Sequence, residues 1–423
     1  MQINRWLKIG MVVLVIAGLT GCGPETGEIR IDIDELLSKP RTYVGSDQCE
    51  FCHLEHYNSW KTTLHSRTLQ DVTKNLDALV AAIDPAIIRS DLKRIEKSLR
   101  VPVEKIYIPE LSEVKYTLGM QWEQGFLVEK NGTLYVAPIK YSAKEEHWIA
   151  YREEDWDRRP WIKKCAGCHV TGVNLEKQTF LEARVGCEAC HGPASLHVAL
   201  PETAVFEKHR TIVNPSYLSA GFRTQICGAC HSRGKSTKVK DIDWPVGYIP
   251  GRALGIYYKA TSYAAGDSQF VYPNEFAKGR YMQFNDWKQS IHAREGVTCT
   301  SCHYVHRLGT PPTQFQTKGA GSQQCLQCHK VINSNMAHSI HSFANCIGCH
   351  MPRIIKNGTG TMVTRSHTFK ALLPKETLAD PAVPNSCQTC HKHQNTDLAV
   401  LQKLFDSLSQ KSLLRVHQTR PRW

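Results

Sequence analysis

The stretch Val185-Gly186-Cys187-Glu188-Ala189-Cys190-His191-Gly192-Pro193 holds two thiols one helical turn apart, with an imidazole directly behind the second. The same pattern, Cys-x-x-Cys-His, recurs along the chain. It occurs at Cys49/Cys52/His53, Cys165/Cys168/His169, Cys187/Cys190/His191 and Cys227/Cys230/His231. It returns at Cys299/Cys302/His303, Cys325/Cys328/His329, Cys346/Cys349/His350 and Cys387/Cys390/His391. The chain has 17 cysteines in 423 residues, and outside these eight pairs only Cys22 remains. Two thiols at this spacing can add to the two vinyl groups on one haem edge, and the adjacent histidine then lies beneath the iron as proximal ligand. A zinc site would use Cys-x-x-Cys units without a histidine after each one. A thioredoxin-like redox pair would occur once. Disulfide pairing leaves the eight histidines unexplained. The pattern therefore implies eight covalently bound haem c groups, each held by its two cysteines and its motif histidine.

The cofactor changes how composition and charge are read. The chain carries 52 basic and 39 acidic side chains, a formal net charge of +13. Eight haems bring about sixteen propionate charges, so the positive excess largely offsets the cofactor and gives no reading of a nucleic-acid partner. The hydrophobic fraction, 41%, is slightly low for this length, yet 36 aromatic residues argue against disorder. With about 50 residues for each motif, the haems must share walls and stand in for much of the aliphatic core.

The N-terminus sets the compartment. Arg5 and Lys8 precede the apolar run Met11 to Leu19, which is too short to span a membrane. The run ends in Leu19-Thr20-Gly21-Cys22, which resembles a bacterial lipobox, whose cysteine is acylated and becomes the first mature residue. An ordinary signal peptide with an incidental cysteine, or an uncleaved anchor, is the alternative. Gly23 after the cysteine points to the outer membrane in that class of protein, and two or three acyl chains anchor stably. The expected organisation is a lipoprotein signal peptide at 1–21, a tether at 22–42, an octahaem domain at 43–395 and a C-terminal helix and tail at 396–423. The expected location is the periplasmic side or cell surface, anchored to the outer membrane through Cys22.

The motifs begin 116, 22, 40, 72, 26, 21 and 41 residues apart. The first long gap reads as helix from Thr68 to Leu99, broken near Pro85, then as short strands with a turn at Asn131-Gly132. The second, between His231 and Cys299, is rich in aromatics such as Trp244, Tyr258, Tyr272 and Phe284, read as packing against haem faces and loops. Asp397 to Leu414 reads as an amphipathic closing helix. The fold class is mainly α with much irregular chain and little sheet, a multihaem cytochrome c fold whose haems form the core.

Twelve histidines lie outside the motifs. Histidine on both faces favours low-spin iron and electron transfer, whereas an iron without a distal ligand can bind substrate. His65, His197, His292, His306, His338, His341 and His367 lie close to motifs and are the expected distal iron ligands. His56, His147, His209, His393 and His417 are read as non-ligands.

Several stretches resemble the cytochrome c-554-like multihaem family. They are Tyr43 to Cys49, Trp60 to His65, Val185 to Pro193, Cys227 to Arg233, Gln283 to His303 and Cys346 to Pro352. The resemblance runs from about Tyr43 to His391. It implies haems packed in near-parallel stacks alternating with perpendicular pairs, as in hydroxylamine oxidoreductase and pentahaem nitrite reductase. No Cys-x-x-Cys-Lys motif is present, which departs from the pentahaem nitrite reductases. Two functions follow. One is an electron carrier serving quinol-linked donors or redox partner proteins in anaerobic or extracellular respiration. The other is an oxidoreductase acting on nitrite, hydroxylamine or a sulfur oxyanion at one open haem. A purely structural module is a poor fit to eight redox centres.

Overall fold

The computed structural model describes residues 32–263, 269–307, 316–330, 338, 346–356, 362–390 and 392–416. The expected signal peptide, Cys22, His341 and His391 lie outside these residues. The chain divides into two compact units, residues 1–39 and 40–423. The described part of the first is a short helix, Ile33–Ser38, whose Asp32 side chain accepts from Glu35 N at 3.0 Å. Among the described residues no helix is long and apolar enough to cross a membrane.

In the second unit the first long gap folds into a five-stranded antiparallel sheet. Its strands are β1 (Leu69–Asp71), β2 (Val114–Leu118), β3 (Glu123–Lys130), β4 (Thr133–Ser142) and β5 (His147–Ala150), paired in chain order. The helical reading of Thr68 to Leu99 is therefore corrected. Leu69 pairs opposite Leu118 in the sheet, and the α-helix is confined to Pro85–Arg94. Pro85 opens that helix rather than breaking one, because its fixed φ suits the first turn and its missing N–H is not needed there. Asp84 supplies the cap, accepting from Ala86 N at 2.8 Å. Asn131 and Gly132 (φ 52° and 72°) form the two-residue turn between β3 and β4, with Lys130 opposite Thr133. Positive φ at both positions is what a tight hairpin with right-handed strand twist demands.

Alternation along β3 gives the sheet two apolar faces. Phe126 joins Ile88, Leu92, Val103, Ile139 and Trp148, and the helix Pro85–Arg94 covers this side. Asp91, on that helix, accepts from Trp148 N at 3.0 Å and so fixes the helix to β5. Leu127 joins Leu69, Val136, Trp161, Ile162, Ala166 and Val170 on the other side. Ala166 lies inside the second thiol motif. The sheet is thus the platform on which that motif sits.

The remaining elements are mostly short helices. Val271, Tyr272, Met282, Ile354, Ile355 and Leu372 form a further apolar cluster, and the Tyr272 hydroxyl donates to Ile354 O at 2.6 Å. This draws the chain before the fifth motif against the chain after the seventh. The closing helix spans Leu398–Val416, with Leu401 buried and Gln402 accepting from Lys375 N at 2.7 Å. These apolar clusters surround a continuous cavity of about 4020 Å³. Ordinary small-molecule pockets are about 300–1,000 Å³. At least one cysteine of every motif lines this one space.

Candidate functional site

Each motif for which a hydrogen bond fixes the turn is a single helical turn. His53 N, His231 N, His303 N and His329 N donate to the carbonyls of Cys49, Cys227, Cys299 and Cys325 at 2.8–3.0 Å. This i to i+4 bond stacks the imidazole over the first thiol, on one face of the turn. Two motifs need a glycine between their cysteines. A Cβ on Gly167 would lie 2.2 Å from the Trp244 ring, and one on Gly228 would lie 2.7 Å from Phe284. Trp244 is held in turn by its indole N–H, which donates to Ile162 O at 2.9 Å. The aromatics of the second long gap therefore brace motifs, here the second and the fourth.

Thiols of different motifs lie near enough to shift one another's pKa in pairs: Cys49 with Cys187, Cys168 with Cys230, Cys227 with Cys299, and Cys325 with Cys346. The first pairing has a clear cause in two buried carboxylates. Glu188, between the thiols of the third motif, accepts from Gly45 N at 2.7 Å, Ala194 N at 2.8 Å and Val44 N at 3.0 Å. Glu182 accepts from Ser46 N at 2.6 Å and Ser46 Oγ at 2.9 Å, and that hydroxyl accepts from Cys187 N at 2.9 Å. Charge-assisted bonds of this kind are about twice as strong as neutral ones. They clamp the turn before the first motif onto the third.

In the eighth motif Cys387 lines the cavity. Cys390 N donates to Cys387 O at 3.1 Å, His393 N to Cys390 O and Thr396 N to His393 O, each of these two at 3.0 Å, so successive tight turns run from this motif into the closing helix. Cys390 lies near enough to Cys349 of the seventh motif to raise the pKa of that thiol, an effect second to burial. The seventh and eighth motifs are joined directly, because Ser386 Oγ donates to Cys349 O at 2.8 Å.

The histidines pair across the cavity. His53 faces His197 with ring centroids 6.4 Å apart and planes 18° apart. His191 faces His306 at 6.1 Å and 12°, His303 faces His367 at 6.4 Å and 24°, and His350 faces His338 at 6.3 Å and 14°. Two further pairs are crossed, His231 with His65 at 6.2 Å and 87°, and His329 with His292 at 5.9 Å and 78°. A metal held between two imidazoles by nitrogen bonds of about 2 Å sets ring centres about 6 Å apart. Six motif histidines thus face a partner at the separation that one iron requires.

Comparisons with known proteins bear on the family and the fold. Residues 170–345 match the family model for cytochrome c552, and residues 48–95 and 138–192 match that for cytochrome c554 and c-prime. The chain is a multihaem c-type cytochrome. Its cofactor is covalently bound haem c. It is similar to a cytochrome c-552 of Aliarcobacter butzleri (strain RM4018), 20% identical over 181 residues, which is 37% of this chain and 35% of that one. The matched segment thus spans about a third of that relative. Among solved structures, the outer cell wall cytochrome OcwA superposes with a TM-score of 0.68 at 23% identity, covering 89% of each chain. That likeness is one of fold.

The residues of the cytochrome fit the group they would hold. Nδ1 of His191, His197, His350 and His367 bonds the backbone carbonyls of Val213, Lys208, Phe369 and Arg365 at 2.8–3.3 Å. That contact leaves Nε2 as the lone-pair nitrogen facing the cavity side, the arrangement a metal-ligating histidine needs. Burial, then neighbouring imidazoles, lowers the pKa of His65 and His306 to about 4. His367 is likewise lowered to about 4, by burial and then by His303. These rings are neutral and able to ligate. Nδ1 of His169 and of His292 is buried without a hydrogen-bond partner.

Of the seven histidines expected as distal ligands, His65, His197, His292, His306, His338 and His367 each stand opposite a motif histidine, and His341 lies outside the described residues. His56, read as a non-ligand, packs beside His306 at 4.9 Å. His147 turns instead to Glu145, with Nδ1 3.1 Å from its carbonyl. His169 differs from the six paired motif histidines. Among the described residues no second imidazole faces it, and burial followed by the nearby Lys140 ammonium lowers its pKa to about 4. Lys140 also acts on Cys165 of the same motif. Lys140 comes from β4 in the first long gap and Arg280 from the second, and both bond Glu123. Sequence reasoning singled out neither Glu123 nor the Glu182 and Glu188 clamp. A buried carboxylate looks like a surface charge until its partners, some of them more than a hundred residues away, are placed beside it.

Proposed function

We propose that this cytochrome relays electrons outside the cytoplasm through eight covalently bound haems c that fill the central cavity and form its core. The observation carrying this reading is the set of six imidazole pairs at 5.9–6.4 Å around one continuous space. Iron with imidazole on both faces is low-spin and exchanges electrons without binding substrate. The chain's own part is to fix the rings through backbone carbonyls, to set neighbouring motifs close to one another, and to exclude water around them. The motifs whose thiols act on one another electrostatically suggest an order of neighbours: first with third, fourth with fifth, sixth with seventh, and the second beside the fourth. The eighth group would be held through Cys387 and Cys390. Acylation at Cys22 would hold the relay at the outer membrane, facing quinol-linked donors on one side and an acceptor on the other. The test is EPR of the oxidised, haem-loaded protein with spin counting. Predominantly low-spin iron supports the relay, whereas high-spin iron at most positions would sink it.

A second reading rests on His169. Its haem would have no imidazole opposite among the described residues, and the Lys140 ammonium is close enough to act on that histidine. We infer from this a site for reduction or oxidation of a small species such as nitrite, hydroxylamine or a sulfur oxyanion. Titrating the oxidised protein with nitrite, and assaying turnover with an artificial electron donor, separates the readings. Spectral change at one haem with substrate consumption places the protein among enzymes. No change leaves it a carrier.

A further inference from the structure

We propose that Glu123 is a positioning residue that holds Lys140 and Arg280 as one anion-receiving unit at the His169 haem and weakens that unit's pull on anions. The inference rests on the second reading above. Arg280 Nη1 lies 2.8 Å from Glu123 Oε2, and Lys140 Nζ lies 3.6 Å from the same oxygen. The three side chains are only 18%, 19% and 11% exposed, in the order Arg280, Lys140, Glu123. Screening by water is therefore weak and their charges act at full reach. All three line the haem cavity. The Lys140 ammonium sits 3.8 Å above the centre of the Tyr151 ring, which fixes its height. The backbone of Arg280 is held as well, because Arg233 Nε donates to Arg280 O at 2.7 Å. Arg233 in turn lies over the rings of Phe270 and Tyr281.

The unit is assembled from two distant parts of the chain: Glu123 and Lys140 from the β3–β4 hairpin, and Arg280 from the aromatic gap before the fifth motif. Residues 96–137, which include Glu123, fall between the two segments matched to the cytochrome c554 family model. Both cations line the same cavity as His169, with Lys140 close enough to act on it, and Glu123 cancels one of their charges. Arg233, Arg159 and Asp243 also act on this motif, and none of them is bonded to Glu123. Replacing Glu123 by an isosteric amide keeps the volume and an acceptor oxygen for Arg280 but removes the negative charge. Anions should then bind more tightly, while neutral ligands should not respond.

The experiment uses the full haem-loaded protein with two probes, azide for the ferric state and carbon monoxide for the ferrous state, each followed by absorption and EPR. In Glu123→Gln the azide dissociation constant should fall about tenfold, and that of carbon monoxide should stay within about twofold of the unsubstituted protein. Lys140→Gln should weaken azide by a similar factor, again without effect on carbon monoxide. A haem-to-protein absorbance ratio unchanged in both variants shows that the fold and haem loading are intact. Azide and carbon monoxide binding that Glu123→Gln leaves unaltered would overturn the role of Glu123 while keeping the open haem. If neither probe binds the unsubstituted protein, the open haem itself is wrong, and the proposal falls with it.

Discussion

His65 and His56 lie nine residues apart in sequence, yet the structure gives them different tasks. His65 stands 6.2 Å from His231, the separation of two ligands of one iron, whereas His56 packs against the flank of His306 at 4.9 Å. Substituting His65→Ala should convert one low-spin haem to high-spin in the EPR spectrum, and His56→Ala should leave the low-spin count unchanged. The converse result would reverse the two roles. Glu188 makes a second prediction at this scale. Its carboxylate takes the N–H groups of Val44, Gly45 and Ala194. Glu188→Ala strands those donors in a buried site, at a cost of about 2–4 kcal/mol. The variant should melt at a lower temperature than Glu188→Gln, with haem content measured in both. The motif cysteines and histidines were legible because covalent attachment fixes their spacing within five residues. That spacing does not say which motifs become neighbours, and Cys390 beside Cys349 of the seventh motif is visible only in the fold. Glu188 was not legible at all, since its meaning lies in partners up to 144 residues away.

At the scale of elements, the hairpin of β3 and β4 could be read directly from Asn131-Gly132, because a turn with φ above zero at two residues accepts few other dipeptides. The strand at Leu69 could not. Its residues suit a helix as well as a strand, and burial against Leu127, Trp161 and Ala166 decides the matter through contacts far along the chain. Pro85 is ambiguous for the opposite reason: the same locked φ that breaks a helix interior also begins a helix. The sheet depends on Phe126, fully buried beside Trp148 at a ring separation of 5.3 Å. Phe126→Ala should cost about 3–5 kcal/mol. Because Leu127, next in β3, packs on the second motif's side, the loss should reach the His169 haem before the others. Limited proteolysis should cut within residues 96–137 of this variant while the rest of the cytochrome resists. Uniform digestion along the chain would show that the sheet is not a separate layer of stability.

The whole molecule is organised by imidazole planes, which no stretch of sequence encodes. The four near-parallel pairs differ by 12–24°, and the pairs of His65 with His231 and His292 with His329 cross at 87° and 78°. Parallel planes lift the degeneracy of the two iron d orbitals that interact with the ligand π systems, and crossed planes nearly restore it. The first arrangement gives rhombic low-spin signals, and the second gives strongly anisotropic ones with a large principal g value. The oxidised protein should therefore show both classes, with rhombic centres outnumbering anisotropic ones two to one among the six paired haems. His292 makes the test specific. Its ring is set by edge contact with Phe369 at 4.3 Å rather than by a carbonyl on Nδ1, which is unpartnered. Phe369→Ala frees that ring to turn toward its partner's plane, so one strongly anisotropic signal should become rhombic while the total low-spin count holds. Potentiometric titration followed by EPR separates this centre from its neighbours by the potential at which it disappears. If both crossed signals persist in Phe369→Ala, the plane of His292 is set by the haem and not by the protein around it.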